Sequence, residues 1–123
     1  MTSIRWVSVV SVLVGLMGCA AFEAKEVTYL RSAENRATQE EVTQHLGAPA
    51  LTKTSPAGES ILVYQVKEQQ PGGRYNAPGM WCDEYVLTFD SQAILRQWTH
   101  KSYFHGGELQ PTYCVPGGAD AKL

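Results

Sequence analysis

The first 18 residues set the limits on what the rest of this 123-residue chain can fold into. Residues 6–17 are almost entirely apolar and follow a short stretch whose only charged side chain is Arg5. A helix of about 12 residues is about 18 Å long, too short to cross about 30 Å of hydrocarbon. The run fits the hydrophobic region of a signal peptide. We therefore predict a signal peptide at residues 1–18 and a folded protein within residues 19–123.

The apolar run ends in the tetrapeptide Leu-Met-Gly-Cys at residues 16–19. This tetrapeptide resembles the lipobox of bacterial lipoproteins, in which the cysteine carries a diacylglyceryl group and becomes the new N-terminus. The resemblance implies lipid on Cys19, and two or three acyl chains anchor a protein durably to a membrane. Ala20 stands where inner-membrane lipoproteins commonly have aspartate, so the implied location is the periplasmic face of the outer membrane. The alternative is an ordinary signal peptide with an incidental cysteine.

Charge and cysteine count narrow the function classes further. Cleavage would remove Arg5 and leave nine basic residues against twelve acidic ones, with no basic stripe, so nucleic acid is not an expected partner. About 105 residues form only a small core. Cys82 and Cys114 remain, and an even number of cysteines in an oxidising compartment predicts a disulfide. A reactive thiol is the alternative, although the chain has no Cys-x-x-Cys motif.

The predicted mature chain divides into a lipidated tether at residues 19–27 and one domain at residues 28–123. Residues 27–30 fit either a strand or a helical turn. The pattern around residues 38–49 predicts a short amphipathic helix, because Thr38 and Glu41 form a capping box. Gly47 and the following proline are typical of a helix C-terminus.

The remaining elements are predicted to be strands. Residues 51–54 fit a short strand, and residues 61–66 and 81–89 are rich in β-branched and aromatic side chains. Residues 94–103 return after a turn at residues 90–93, which predicts a hairpin. With a two-residue turn, Phe89 lies opposite Ile94, Tyr85 lies opposite Trp98, and Asp83 lies opposite His100.

The order of these elements resembles the SmpA/OmlA, or BamE-like, family of outer-membrane lipoproteins. The resemblance implies an α+β fold, with one or two short helices on one face of a three-stranded antiparallel sheet. It also implies a role in outer-membrane protein assembly or envelope maintenance. The long loop at residues 69–79 and the tail beyond residue 106 depart from the family pattern. The matching residues are Thr38, Glu41, Val42, Leu46, Gly47, Pro49, Tyr64, Tyr85, Leu87, Phe89 and Asp90.

Catalytic and metal chemistry find little support in the sequence. The chain has no Gly-x-Ser-x-Gly, His-Glu-x-x-His or phosphate-binding loop. His100, His105, Cys114 and Asp83 match no short metal-ligand spacing. Asp83 and Glu84 are expected to form a solvated or salt-bridged pair facing His100 or Lys101. We therefore expect no enzyme activity, no cofactor and no metal.

Aromatic residues concentrate at the open end of the predicted hairpin. Tyr75, Trp81, Tyr103 and Phe104, with Met80 beside them, make up a candidate partner patch, since aromatic residues are enriched in binding sites. The alternative is that these residues complete the core at the base of the tail.

The tail of residues 106–118 contains four glycines and two prolines and has no periodicity. The predicted disulfide would hold it in place, with Pro111 and Tyr113 near Trp81 and Tyr103. The sequence as a whole favours a non-catalytic, lipid-anchored periplasmic module with an envelope protein as partner. The alternative is a lipoprotein of the same fold that inhibits an enzyme or binds a cell-wall component.

Overall fold

The computed structural model describes residues 23–119, which form two helices and four strands. The signal peptide and Cys19 lie outside the described residues, so both remain predictions. Within residues 23–119, no helix is long and apolar enough to cross a membrane. The elements are α1 (Lys25–Ala33), α2 (Gln39–Leu46), β1 (Leu51–Thr54), β2 (Ser60–Gln70), β3 (Gly79–Phe89) and β4 (Leu95–Gly106).

Helix α2 begins and ends where the sequence predicts. The Thr38 hydroxyl accepts a hydrogen bond from the backbone N–H of Glu41 at 3.2 Å, so Thr38 is the N-cap. Gly47 ends the helix with φ 88° and ψ −162°. These angles lie outside the left-handed helical region, in a part of conformational space that only glycine occupies readily. The backbone at this position therefore requires glycine, and the predicted helix boundaries are confirmed.

Helix α1 resolves the uncertainty at residues 27–30 in favour of a helix and shortens the tether. Val27, Leu30 and Ala33 are buried and recur every three residues, so they share one face of the helix. Because α1 begins at Lys25, the last three residues of the predicted tether, 25–27, belong to the folded domain. Helix α1 therefore begins three residues before the predicted domain boundary at residue 28.

The sheet has four antiparallel strands in the order β1-β2-β3-β4, so the expectation of three strands is wrong. The additional strand is β1, which pairs with the first residues of β2 from Leu51↔Val63 to Thr54↔Ser60. A tight turn joins the two strands, and in it the Ser55 hydroxyl accepts a hydrogen bond from the N–H of Glu59 at 3.1 Å. Because β1 has only four residues, its pairing with β2 extends from Ser60 to Val63.

The predicted register of the β3–β4 hairpin is also wrong. Phe89 pairs with Leu95, and Tyr85 pairs with His100 where Trp98 was expected. The connection is a three-residue loop, because the N–H of Asp90 donates to the carbonyl of Ile94 and Ala93 has φ 62°. A bulge between Thr88 and Phe89 then shifts the register by one further residue.

The two faces of the sheet carry separate packed clusters, because successive side chains of a strand point to opposite sides. The face under the two helices holds the main core, which includes the predicted alternation of Tyr85, Leu87 and Phe89. The opposite face carries a small cluster of Cys82, Cys114 and Val115 beneath the tail. The main core comprises Val27, Leu30, Ala33, Ala37, Val42, Leu62, Tyr64, Tyr85, Leu87, Phe89 and Leu95.

Candidate interaction surface

The strands extend well past the helices at the end of the sheet opposite the Asp90 turn. We call this the open end: residues 66–70, 79–83 and 102–106 of the strands, with the connecting loop 71–78 and the tail residues 107–113. Large hydrophobic side chains that are exposed in residues 23–119 all lie at this end. They are Val66, Tyr75, Trp81, Tyr103, Leu109 and Tyr113.

The structure brings together only two of the four residues of the predicted partner patch. Trp81 and Phe104 are cross-strand neighbours on the helix-bearing face, with ring centroids 5.0 Å apart. Tyr103 lies on the opposite face, because its register partner is Cys82. Tyr75 is 90% exposed at the tip of the connecting loop. Since Val66 is exposed on the same face as Trp81, we define the Trp81 patch as Val66, Trp81 and Phe104.

The Trp81 side chain is held in place by a chain of hydrogen bonds. Its indole N–H donates to Gln70 Oε1 at 2.8 Å, and Gln70 Nε2 donates to the carbonyl of Ala77 at 2.7 Å. The indole is nevertheless 41% exposed, because it lies about 13 Å along β3 from Tyr85, where the helices provide cover. Trp81 is therefore an oriented aromatic side chain that the fold leaves open to solvent.

Gly79 leaves room for the second ring of the patch, Phe104, beside the strand backbone. A Cβ at Gly79 would come within 2.7 Å of the Phe104 ring and even closer to the backbone carbonyl of His105. Only glycine provides the space for this contact. Phe104 is consequently half-buried against the backbone, and it supports one side of the Trp81 indole.

A polar pair borders the Trp81 patch on the side of the core. His100 Nε2 lies 2.9 Å from Asp83 Oδ1, and the His100 ring stacks on Tyr85 with centroids 4.4 Å apart. Burial, with the nearby Asp83 and Glu26 carboxylates, raises the pKa of Tyr85 to about 12. The predicted proximity of Asp83 and His100 is thus present, although Ser102 is the register partner of Asp83.

Asp83 and Glu84 point to opposite faces of the sheet. Asp83 contacts His100 as expected, whereas Glu84, the register partner of Lys101, is buried and not solvated. Glu84 is only 2% exposed and lies under the tail, where its Oε1 accepts a hydrogen bond from the N–H of Ala119 at 3.3 Å. Its Oε2 has no hydrogen-bond partner among residues 23–119. A Cβ on Gly118 would lie 2.7 Å from Glu84 Oε1, so this glycine allows the tail to cover the carboxylate. No motif in the sequence marks Glu84 as a buried residue.

The predicted disulfide joins Cys82 to Cys114, whose Cα atoms are 5.4 Å apart. His105 reinforces the attachment of the tail, because its Nε2 lies 2.7 Å from the carbonyl oxygen of Cys114. The ring of Tyr113 contacts His105 edge-on at 5.4 Å. The tail therefore lies over the Tyr103 side of the open end. The expected contact with Trp81 is wrong, because Trp81 lies on the other face.

The residues considered for a metal site are likewise separated by the sheet. His100 lies with Asp83 on the helix-bearing face, whereas His105 lies with the disulfide on the opposite face. Cys114 is bonded to Cys82 and cannot act as a thiolate ligand. Among residues 23–119, no group of three or more histidine, cysteine or acidic side chains is placed to hold a metal ion.

A cleft with a volume of about 310 Å³ lies beside residues 64–66 of β2. Lys25, His45, Tyr64 and Val66 are among its lining residues, so the start of α1 adjoins the base of the Trp81 patch. The Tyr64 hydroxyl donates to the carbonyl of Gly47 at 2.9 Å, and burial raises its pKa. The N-terminus of α1 therefore lies next to the open end.

No protein-family model, curated protein or solved structure matches this chain. The resemblance to the SmpA/OmlA family therefore rests on the sequence pattern described above.

Proposed function

We propose that this protein is a non-catalytic, lipid-anchored interaction module of the bacterial envelope. In this proposal Cys19 carries the lipid at the periplasmic face of the outer membrane, and a protein partner docks on the Trp81 patch. The resemblance to the SmpA/OmlA family supports a role in outer-membrane protein assembly or envelope maintenance.

One observation carries the proposal: an exposed tryptophan whose orientation is fixed before any partner arrives. Interface energy concentrates in a few residues, and tryptophan is enriched among them. Fixing the side chain in advance lowers the entropy cost of binding, and the bonds from Trp81 to Gln70 and from Gln70 to Ala77 do so here. The Asp83–His100 pair supplies the polar border that surrounds the apolar centre of such interfaces.

Photo-crosslinking in intact cells tests the proposal directly. A photo-reactive phenylalanine analogue placed at Trp81 should give a discrete crosslinked band, whereas the same analogue at Gln97 should not. Gln97 is a matched control because it is also exposed on the sheet, but it lies near the Asp90 turn. Crosslinking at Trp81 no stronger than at Gln97 would contradict a docking role for the patch.

The identity of the crosslinked protein and its affinity complete the test. A component of outer-membrane assembly supports the proposed role, whereas a soluble hydrolase or a cell-wall fragment overturns it in favour of an inhibitor or wall-binding protein. With the purified partner, Trp81→Ala should weaken binding by about 30-fold, since a central aromatic residue contributes about 2 kcal/mol or more. Gln97→Ala should leave the affinity unchanged.

A further inference from the structure

Two exposed apolar side chains lie at the tip of the open end, one in the connecting loop and one in the tail, where Leu109 lies beside Gln69 and Met80 at the ends of β2 and β3. Tyr75 is 90% exposed in the loop after β2, and Leu109 is 51% exposed in the tail after β4. The N–H of Gly73 donates to the carbonyl of Asn76, and the N–H of Gly107 donates to the carbonyl of Pro78. These bonds fold the first loop around Tyr75 and connect it to the start of the tail. The tip is therefore an ordered surface that exposes two apolar side chains.

The length of chain between Cys19 and α1 limits how far this tip can lie from the lipid. Six residues, 19–24, precede Lys25, and an extended chain of that length reaches at most about 20 Å. Lys25 and Val66 line the same cleft, and from Val66 the strand continues for four residues, or about 13 Å, to its end at Gln70. The lipid on Cys19 can therefore reach the plane of the tip with chain to spare.

The opposite end of the sheet lies too far from Lys25 to reach the membrane surface as easily. Asp83 is the register partner of Val66, and the Asp90 turn begins seven residues farther along β3, about 23 Å away. That end also carries polar groups, with the Asp90 carboxylate bonded to Arg96 at 2.7 Å. Chain length and surface chemistry thus select the same end of the sheet to face the membrane.

We propose that the tip of the open end docks into the headgroup layer of the membrane to which Cys19 is attached, with Tyr75 and Leu109 entering that layer. Tyrosine suits this layer because its ring is apolar and its hydroxyl is polar. Arg74 precedes Tyr75 and Glu108 precedes Leu109, so the tip carries one charge of each sign and fits zwitterionic headgroups. The Trp81 patch, on the side of the sheet, stays free for a protein partner. This inference rests on the lipid attachment proposed above.

Tryptophan fluorescence of the lipidated protein tests the docked orientation. The chain from residue 19 onward has two tryptophans, Trp81 and Trp98, and replacing both by phenylalanine allows Tyr75→Trp to report from the tip alone. The lipoprotein is reconstituted in phosphatidylcholine–phosphatidylethanolamine vesicles, with or without phosphatidylcholine brominated near the top of its acyl chains. We expect the brominated lipid to reduce the emission of the tip reporter at least about twofold, because the side chain lies at the interface.

The matched control keeps Trp98 as the single tryptophan, through Trp81→Phe alone. Trp98 pairs with Leu87, about 20 Å along β3 from the level of Trp81, so brominated lipid should leave its emission unchanged. Equal quenching of both reporters, or of neither, would overturn the orientation.

Vesicle flotation separates the two proposals. A protein that floats but shows no tip quenching contradicts docking and leaves the lipid anchor standing. A protein purified from membranes that neither floats nor carries lipid on Cys19 contradicts both. As a second variant, Leu109→Ser should leave flotation intact and reduce the quenching of the Tyr75→Trp reporter, since one of the two inserted side chains is lost.

Discussion

Removal of the Cys82–Cys114 disulfide should cost this domain a large share of its stability. The two cysteines are separated by 32 residues, and cross-linking a loop of that length lowers the entropy of the unfolded chain by an amount equivalent to about 3.7 kcal/mol at 25 °C. Small domains have a total unfolding free energy of about 5–15 kcal/mol. The double substitution Cys82→Ala with Cys114→Ala should therefore remove a quarter or more of that total.

The loss of stability should appear first as local unfolding of the tail. The tail of residues 107–119 is held by the disulfide, by the contact of His105 with the Cys114 carbonyl and by the bond from Ala119 to Glu84. Helix α2, in contrast, packs on the other face of the sheet, where Val42 is fully buried. Without the disulfide, tail amides should exchange with solvent quickly while amides of α2 remain protected.

Urea unfolding of residues 20–123, with the disulfide oxidised and reduced, measures the change in the free energy of unfolding. Hydrogen exchange measures the loss of protection in the tail. Reduction of the native chain and the double alanine substitution should agree, which separates the cross-link from the side chains. A difference below about 1 kcal/mol would refute the entropic argument. Simultaneous loss of protection in α2 and in the tail would refute the separation of the two faces.

Four further perturbations test other parts of the structure. Thr38→Ala should lower the free energy of unfolding by about 0.5–2 kcal/mol in urea titrations, because the N–H of Glu41 loses its acceptor. Gly47→Ala should cost about 1–3 kcal/mol in the same assay through backbone strain, since no atom of residues 23–119 lies within 4 Å of the added Cβ. The backbone N–H of Ile94 and the Arg96 guanidinium lower the pKa of Asp90, so its contribution to stability is present above about pH 4 and lost as the pH falls through the lowered pKa. Asp90→Asn should remove that part of the acid dependence, as followed by unfolding at several pH values. Tyr85, whose pKa is raised to about 12, should contribute its stability below about pH 10 and lose it as the pH rises toward 12, and ultraviolet titration of Tyr85→Phe should lack the latest ionisation.

Elements determined by short-range chemistry could be predicted from the sequence. Helix α2 is one, because Thr38 and Gly47 mark its ends through their own backbone and side-chain bonds. The disulfide is a long-range contact, but it could be predicted by counting, because Cys82 and Cys114 are the two cysteines left once Cys19 is assigned to lipid. The buried alternation of Tyr85, Leu87 and Phe89 also follows from strand geometry.

The register of the hairpin depends on details that the pattern of apolar residues does not contain. Ala93 adopts a positive φ that is uncommon for a residue with a side chain, and the Asp90 carboxylate stabilises it by accepting bonds from the N–H groups of Gln92 and Ile94. These contacts make a three-residue loop where the sequence favours a two-residue turn. Every pair beyond the loop, Tyr85 and His100 included, is displaced as a consequence.

The candidate site could be predicted as a group of residues but not as a surface. The predicted hairpin placed Trp81, Tyr103 and Phe104 at the same open end, yet adjacent residues of a strand point to opposite faces. Only the register assigns Phe104 to Trp81 and Tyr103 to Cys82. The burial of Glu84 could not be predicted either, because it depends on the path of Gly118 and Ala119, which are 34 or more residues farther along the chain.

The sheet separates two clusters of packed side chains, one on each face, and each cluster can change independently of the other. Within residues 23–119, the cluster of Cys82, Cys114 and Val115 is separate from the core cluster that packs under the helices. Substitutions on the two sides should therefore combine with nearly additive effects. A tail of different length or sequence could replace the present one without redesign of the helical side. Such a fold can acquire a new binding surface through changes in its tail while the core under the helices stays unchanged.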